Sequence, residues 1–205
     1  MLHTETVDAD TLELLRLLQR NESLADTRLV GGTALALQIG HRKSIDLDFF
    51  GILDMEPMEY RQELEAVGEV SLRSESRRIQ RYMVSGVQVD LVNYPYPWLD
   101  KPVVEDGLRL ATCRDIAAMK LSAITNRGTK KDFIDLVFLL DMFSLNEMLD
   151  FYAEKFSDGD TFLVLKSLVF FDDADDDPMP QMRIDFDWVA AKQRIRTVVS
   201  EMGGA

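Results

Sequence analysis

The sequence predicts an α+β fold, with strands and short helices in the first half of the chain and helices alone in the second. Runs of alternating apolar and polar residues, which are typical of strands, lie before residue 95. Prolines interrupt the chain at positions 95, 97 and 102, and the residues after about 112 have the pattern of helices. We therefore expect a core over residues 1–95 and a helical subdomain over residues 96–205.

The composition is that of an ordinary globular protein. Of its 205 residues, 46% are hydrophobic and 29% are charged, which is enough apolar material for a sizeable core. No stretch approaches about 18 consecutive apolar residues, and the N-terminus lacks the basic and apolar regions of a signal peptide. The single cysteine, Cys113, excludes an internal disulfide. We expect a soluble, cytoplasmic protein without a membrane segment.

The net charge of −13 is unevenly distributed along the chain. Residues 142–205 carry a net charge of −7, whereas residues 71–131 carry a net charge of +5. Binding to a phosphate backbone needs clustered cations, so the acidic chain as a whole is a poor non-specific nucleic-acid binder. A local basic wall around one site is compatible with this distribution.

The elements of the first half follow from periodicity and turn residues. Residues 8–20 predict an amphipathic helix with Asp10 or Thr11 as its N-cap, and Ser85 with Gly86 predicts the turn of a hairpin. The other elements expected before the prolines are a strand over 28–30, a helix over 33–39 that ends at Gly40, a strand over 44–50, a helix over 56–66, and strands near 69–74, 77–84 and 87–93.

Two helices of the second half have N-terminal signals. Thr112 with Asp115, and Thr129 with Asp132, have the spacing of capping boxes. The acidic run over residues 172–177 is most simply a solvated loop, with a calcium site as the alternative.

Three aspartates are the most informative residues of the chain. Asp46 and Asp48 alternate with apolar residues, which places them on one face of the strand expected over 44–50, and Asp90 lies in a second alternating strand. Three carboxylates on one sheet face repel one another unless cations compensate, and magnesium prefers oxygen ligands and keeps positions for phosphates. Two such ions, roughly 3.5–4 Å apart, hold the attacking and leaving oxygens of phosphoryl transfer. The alternative is an exposed polar strand face.

A glycine pair precedes the helix expected over 33–39. Gly31 and Gly32 allow backbone N–H groups to approach a phosphate closely, and the N-terminus of the helix favours its negative charge. On its own such a pair is usually only a turn, so its position relative to the aspartates is what makes it informative.

The order and spacing of these residues resemble the signature of the DNA polymerase β-like nucleotidyltransferase superfamily: a hydrophobic residue, Gly31-Gly32, thirteen intervening residues, Asp46-x-Asp48 and a later strand aspartate. The segment GGTALALQIGHRKSIDLDFF (residues 31–50) resembles the N-terminal motif of the AbiEii/AbiGii-type nucleotidyltransferase toxins. The segment DIAAMKLSAITNRGTKKDFIDLVFLL (residues 115–140) resembles the second block of that family, in the same order. The resemblance covers roughly residues 28–141.

The resemblance implies a nucleotidyltransferase fold, with a mixed sheet flanked by helices and a helical subdomain that completes the active site. It also implies the toxic half of a toxin–antitoxin or phage-defence (abortive infection) pair that uses a nucleoside triphosphate and magnesium. Asp46, Asp48 and Asp90 would be the metal ligands, and Gly32 with Thr33 would contact the triphosphate.

Charged residues of the second block are further candidates for the triphosphate site. Lys120 and Arg127 are seven residues apart and share a helix face, and Lys120 can neutralise the charge that develops as pyrophosphate leaves. Lys131 and Asp135 are four residues apart and can pair with each other. Asp132 is better explained as a helix cap. For Lys120 a solvated helix charge is the alternative, and for Asp135 a structural ion pair.

Two basic features have open interpretations. His41 lies in the loop before the strand expected over residues 44–50. It is either simply exposed or a contact for a base or phosphate. Arg73, Arg77, Arg78 and Arg81 cluster on two adjacent expected strands. They form either an exposed strand face or a rim that attracts an acidic or nucleic-acid acceptor.

The leading functional hypothesis is a magnesium-dependent enzyme that transfers a nucleoside monophosphate from a nucleoside triphosphate to an acceptor, with transfer RNA as a candidate, and that a cognate antitoxin restrains. The expected general base is the carboxylate nearest the acceptor hydroxyl, for which Asp90 is the candidate. The alternatives are an antibiotic-type adenylyltransferase of small molecules and a non-catalytic binding module on the same fold. The complete set of aspartates argues against the binding module.

Overall fold

A computed structural model describes residues 1–202 of the chain, which forms two compact units. The first unit comprises residues 1–95 and 102–111, and the second comprises residues 96–101 and the chain from residue 112 onward. The first unit contains a seven-stranded sheet with helices, and the described part of the second is helical. The predicted α+β fold with a helical second half is therefore confirmed.

The sheet of the first unit is mixed. Its strands are β1 (Thr27–Leu29), β2 (Leu47–Gly51), β3 (Val70–Glu75), β4 (Ile79–Val84), β5 (Val87–Asn93), β6 (Val103–Glu105) and β7 (Leu108–Leu110). They lie in the order β3-β4-β5-β2-β1-β7-β6. Strand β2 is parallel to β5 and β1 is parallel to β7, while the other neighbours are antiparallel. The strands that carry Asp48 and Asp90 are thus direct neighbours.

Strands β6 and β7 lie after the prolines, in a stretch where the sequence pattern predicts no strand. Each has three residues, which is too short to show an alternating pattern. They extend the sheet through the parallel pairing of Leu110 with Leu29 on β1. The segment 102–111 consequently belongs to the first unit, although the sequence analysis assigns it to the helical subdomain.

Three α-helices belong to the first unit: α1 (Ala9–Arg20), α2 (Gly31–Ile39) and α3 (Pro57–Glu65). The N-cap of α1 is Asp8, and the prediction of Asp10 or Thr11 is wrong because both are already helical and Thr11 is buried in the first turn. Asp8 itself adopts the extended backbone of an N-cap, and its carboxylate accepts a hydrogen bond from Lys43 at 3.0 Å.

The predicted turns of the first unit are confirmed. Gly40 ends α2 with a left-handed φ of 73°, a conformation that costs glycine no steric strain. Ser85 and Gly86 both have positive φ angles, 48° and 84°, and they join β4 to β5 as a tight hairpin. These turns determine where α2 ends and which residues of β4 and β5 face each other.

The described helices of the second unit are α4 (Cys113–Asn126), α5 (Lys130–Leu139), α6 (Leu145–Lys155), α7 (Thr161–Leu168), α8 (Asp172–Asp176) and α9 (Trp188–Met202). The Thr112 hydroxyl accepts the N–H of Asp115, which confirms that cap. The predicted loop at the acidic run is wrong, because Asp172–Asp176 form α8, where Asp175 accepts hydrogen bonds from Lys192 and Trp188. No helix within residues 1–202 is long and apolar enough to span a membrane.

The C-terminal helices hold the second sequence block in place. Lys155 on α6 lies 2.7 Å from the Asp115 carboxylate at the start of α4, and both side chains are fully buried. The backbone N–H of Lys130, at the start of α5, donates to Asp177 at 2.9 Å. Residues after 142 therefore fix the ends of α4 and α5, because their carboxylate and ammonium groups satisfy buried partners there.

Candidate active site

Asp48 and Asp90 are neighbours across the sheet. In the parallel pairing of β2 with β5, Asp48 is the register partner of Asp90, so the two side chains leave the same face of adjacent strands. Asp46 lies one residue before β2, not within a strand over 44–50 as predicted. Burial is the main cause of the raised pKa of Asp90, and the nearby charge of Asp46 raises it further. All three aspartates thus lie in one region of the first unit.

Two side chains bind the Asp90 carboxylate. Arg81 is the partner of Asp90 in the antiparallel pairing of β4 with β5, and its Nε donates to Oδ2 at 2.9 Å. Gln88 Nε2 donates to Oδ1 at 3.2 Å. The Asp90 side chain is 8% exposed, whereas that of Arg81 is 48% exposed. The sequence places Arg81 only within a surface cluster, since its position opposite Asp90 depends on the register of the folded hairpin.

The glycine pair lies inside the first turn of α2, not before the helix as predicted, and Val30 is the N-cap. Gly31 has a φ of 69°, and a Cβ there would lie 2.5 Å from Oδ2 of Asp48. A side chain at this position would therefore displace the carboxylate. Asp48 lies directly against the backbone at the N-terminus of α2, where N–H groups and the helix dipole favour a phosphate.

The loop between α2 and β2 is fastened to the start of α2. The Thr33 hydroxyl lies 2.5 Å from the Asp46 carbonyl oxygen and 2.8 Å from Ser44 Oγ. The guanidinium of Arg42 packs so closely against Gly32 that a Cβ there would clash with it. Because these contacts fix the backbone of Asp46 relative to α2, they also fix the entry of the chain into β2.

Two basic residues of this loop are buried. His41 is fully buried, so its interpretation as an exposed loop histidine is wrong, and it presents no surface to a ligand in this structure. Arg42 is 2% exposed and is absent from the sequence-based candidates. No pattern in the sequence distinguishes Arg42 from an exposed loop arginine, because its burial depends on the packing of the loop against Gly32.

The aspartates fit a divalent metal in chemistry and placement, but the ligand set is not closed. Carboxylate oxygens are the preferred ligands of magnesium, and Asp48 and Asp90 are adjacent. Within residues 1–202, however, no three His, Cys, Asp or Glu side chains are grouped so that they could hold a metal ion. Arg81 and Gln88 engage both oxygens of Asp90. Asp90 therefore already has a side-chain donor at each oxygen that a metal would use.

A buried ion cluster joins α4 to α5 in the second unit. Lys120 Nζ lies 2.9 Å from Asp132 Oδ1 and 2.6 Å from Asp135 Oδ2, and all three side chains are buried. Asp132 also accepts hydrogen bonds from Arg127 Nε at 3.3 Å and from the Thr129 hydroxyl at 2.6 Å. The cluster thus sets two carboxylates against two cations, which reduces the cost of burying each charge.

This cluster corrects two expectations from the sequence. The solvated position considered for Lys120 is wrong, because its side chain is 7% exposed. The capping box of Thr129 and Asp132 is also wrong, because Thr129 makes no side-chain cap hydrogen bond and its hydroxyl donates to Asp132 instead. Asp135 has Lys120 as a buried partner at 2.6 Å, and the pairing of Lys131 with Asp135 stays a prediction. The sequence shows that a buried carboxylate needs a cation but not which one.

We expect the stability that Asp132 contributes to depend on pH. Burial would raise its pKa, but the charges of Lys120 and Arg127 and the bond from Thr129 outweigh burial and hold the pKa at about 2, below the usual 3.8. Because the folded-state pKa is depressed, the contribution is present above about pH 4 and is lost as the pH falls towards 2. It amounts to about 2 kcal/mol at neutral pH.

Chemical denaturation of Asp132→Asn beside the wild type tests this dependence. The deficit of Asp132→Asn should shrink by about 1 kcal/mol between about pH 6 and pH 3. Asp150→Asn, which replaces an exposed carboxylate on α6, is the control. A deficit of Asp132→Asn that stays constant over this range would contradict the depressed pKa.

The arginine cluster lies on the hairpin formed by β3 and β4. Arg73, Arg77, Arg78 and Arg81 are all exposed there. Arg77 and Arg78 line a cavity of about 330 Å³ together with the polar side chains of Gln80 and Asn93. The hairpin thus presents cations to solvent, as both interpretations of the cluster require.

Comparison with known proteins identifies the family. The family described as nucleotidyl transferase AbiEii toxin, type IV toxin–antitoxin system, matches residues 14–201. An uncharacterised protein of Aquifex aeolicus is 34% identical over 155 residues, which cover 73% of this chain and 75% of that protein.

Solved structures share the fold. JHP933 from Helicobacter pylori superposes with a TM-score of 0.61 at 20% identity, covering 96% of this chain and 93% of that one. The nucleotidyltransferase toxin MenT4 from Mycobacterium tuberculosis superposes with a TM-score of 0.55 at 17% identity, covering 96% and 82%. The match over residues 14–201 shows that the chain belongs to the AbiEii family of nucleotidyltransferase toxins and is a nucleotidyltransferase.

Proposed function

We propose that the protein uses magnesium to transfer a nucleoside monophosphate from a nucleoside triphosphate to a hydroxyl of an RNA acceptor, and that it acts as the toxin of a toxin–antitoxin pair in the cytoplasm. An acceptor oxygen bonds to the α-phosphorus, the bond to the bridging oxygen of the β-phosphate breaks, and pyrophosphate leaves. The observation that carries this proposal is the pairing of Asp48 with Asp90 beside the N-terminus of α2. This arrangement combines ligands for a hard cation with donors for a phosphate.

Asp46, Asp48 and Asp90 are the proposed metal ligands. Magnesium held by them would supply positive charge to the phosphate oxygens and align the reacting groups. Asp90 is the proposed general base that accepts the proton of the acceptor hydroxyl. Its buried position raises its pKa, which makes its carboxylate a stronger proton acceptor than an exposed aspartate.

Gly31, Gly32 and Thr33 are the proposed contacts of the triphosphate in the first unit. The first N–H groups of α2 have no partner within the helix and point towards its N-terminal end, where an anionic oxygen can accept their hydrogen bonds. His41 is buried in the loop that follows α2, so its proposed contribution is to support that loop and not to touch the ligand.

The candidates of the second unit differ in how available they are. Arg127 is 64% exposed and Lys131 is exposed, so we retain both as proposed triphosphate contacts. Lys120 and Asp135 are buried against each other, which supports a structural role. The neutralisation of phosphate charge by Lys120 remains a prediction.

The proposal of an RNA acceptor rests on the charge of the β3–β4 hairpin. An otherwise acidic protein that exposes four arginines on one hairpin attracts a phosphate backbone locally. Few phosphates would be neutralised, so we expect modest affinity for RNA that falls steeply with salt.

Substitution of both Arg77 and Arg78 by glutamate tests whether the hairpin binds an RNA acceptor. The double variant should transfer nucleotide to RNA about tenfold less efficiently at low salt, while its affinity for the triphosphate stays unchanged. The control reverses Arg16 and Arg20, two exposed arginines of α1, which changes the net charge equally. Equal losses in both double variants would attribute the effect to net charge and contradict a binding role of the hairpin.

Labelled nucleotides identify the reaction and its acceptor directly. The purified protein is incubated with each α-labelled triphosphate, magnesium, and either total RNA or the small-molecule fraction of a cell extract. We expect label in RNA and growth arrest in cells that express the wild type. Label on a small molecule together with normal growth would favour the antibiotic-type alternative. Absence of label from both fractions would contradict the proposed reaction.

A further inference from the structure

A row of charged side chains crosses three neighbouring strands on one face of the sheet. Asp48 on β2 pairs in register with Asp90 on β5, and Asp90 pairs in register with Arg81 on β4. The side chains of register partners on adjacent strands point to the same face of the sheet, and long side chains there are close enough to form hydrogen bonds. Asp90 therefore lies between a proposed fellow ligand on one side and a cation on the other.

Both oxygens of the Asp90 carboxylate have a side-chain partner. Arg81 donates to Oδ2 and Gln88 donates to Oδ1. A divalent ion also binds carboxylate oxygens, and its positive charge and that of Arg81 repel each other at the same group. The donors on β4 and β5 and a metal therefore compete for one group.

The two partners of this ion pair differ in how strongly they are held. Asp90 is 8% exposed, so its charge needs a compensating partner at all times. Arg81 is 48% exposed and therefore keeps much of its hydration while it is paired. Release of the guanidinium to solvent therefore costs little only when another cation takes its place at Asp90.

The strand next to Arg81 is irregular. The register of β3 against β4 shifts between Leu72 and Ser74, so Arg73 is the extra residue of a β-bulge. Ser74 is the register partner of Arg81, which places the bulge beside that arginine. Bulges disrupt the ladder locally and redirect neighbouring side chains, so Arg81 lies where β4 is least constrained by its edge partner.

We propose that Arg81 is a replaceable counter-ion: it neutralises Asp90 in the metal-free protein, and a divalent cation displaces it when the site is loaded. This inference rests on the proposed metal-dependent function. Arg81 is thus a positioning residue that holds the Asp90 carboxylate in place until the metal arrives.

The test measures Mn²⁺ binding to the full chain without nucleotide, by electron paramagnetic resonance. Arg81→Gln removes the competing charge, so the dissociation constant for Mn²⁺ should fall by about three- to tenfold. Gln88→Ala releases the second oxygen without changing the charge, and we expect a smaller change in the same direction. Thermal melting of each variant verifies that it is folded, and either variant suffices if the other does not fold.

Arg73→Gln is the matched control. It removes the same charge from the neighbouring strand, and Arg73 forms no ion pair within residues 1–202. Its Mn²⁺ affinity should stay within about twofold of the wild type, because an exposed charge that does not touch the ligand is screened by solvent. An equal gain in Arg73→Gln and Arg81→Gln would overturn the inference in favour of a general charge effect.

Asp48→Ala separates failure of this inference from failure of the proposed function. If the wild type binds Mn²⁺, Asp48→Ala does not, and Arg81→Gln binds no tighter than the wild type, the counter-ion role is wrong and the metal site stands. If Asp48→Ala binds Mn²⁺ as the wild type does, both the metal site and the inference fail.

Discussion

Asp48→Asn is expected to lower nucleotide transfer by about a thousandfold or more, the largest loss we predict for any single substitution. The amide removes one negative charge from the proposed metal site while it keeps the size of the side chain. Asp48 has two neighbours in the proposed site. It is the register partner of Asp90, and its carboxylate lies against the backbone of Gly31. Its loss therefore removes a proposed metal ligand directly beside the proposed phosphate contacts.

The fold should survive this substitution. Removing one of several close carboxylates relieves repulsion, so the melting temperature without magnesium should hold or rise. The wild type should gain stability from magnesium with a triphosphate, since a ligand that binds only the folded state stabilises it, and Asp48→Asn should lose that gain. Asp10→Asn, an exposed carboxylate on α1, is the control for transfer and melting. Full transfer by Asp48→Asn would refute the metal assignment.

Lys120→Ala is expected to lose about 3 kcal/mol or more of unfolding free energy. The substitution leaves Asp132 and Asp135 buried with Arg127 as the remaining cation of the cluster. Buried charges without partners carry a large desolvation cost, so removal of one partner costs more than the pair itself contributed. Urea denaturation at neutral pH measures the loss.

Two further variants separate burial from charge. Lys166→Ala replaces an exposed lysine of α7 and should change the unfolding free energy by less than about 0.5 kcal/mol. Lys120→Met combined with Asp135→Asn removes one charge of each sign and should recover part of the stability that Lys120→Ala loses. If Lys120→Ala is as stable as Lys166→Ala, the buried cluster is wrong. Transfer by Lys120→Ala at a temperature where it is folded then tests the predicted role in charge neutralisation.

The local elements of this protein were predictable because their signals lie within a few residues of one another. The alternation over residues 44–50 indicates β2, and Ser85 with Gly86 indicates the hairpin turn. Gly40 ends α2 and Thr112 caps α4 as the sequence predicts. The family likewise followed from short motifs in a fixed order, and the match over residues 14–201 confirms it.

Errors in the local predictions arose where a group binds a partner other than the one that its local spacing indicates. Thr129 has the spacing of a cap, but its hydroxyl donates to the buried Asp132. The acidic run predicts a loop, but Asp175 binds Lys192 and Trp188 of α9 and the run is helical. Strands of three residues, such as β7, are too short to show an alternating pattern. Strand β7 forms because its backbone pairs with the edge of β1.

The candidate residues of the site can be named from the amino-acid order alone: three aspartates, a glycine pair at a helix start, and a lysine among apolar residues. Which of them lie in contact follows from the packing of the folded chain. The parallel pairing of β2 with β5 places Asp48 beside Asp90. The register of the hairpin formed by β4 and β5 places Arg81 opposite Asp90. Lys120 finds Asp135 fifteen residues later in the chain. Backbone preferences act over single turns, whereas the partner of a buried charge is selected by the packing of whole elements, since only the folded core makes an unmatched charge costly.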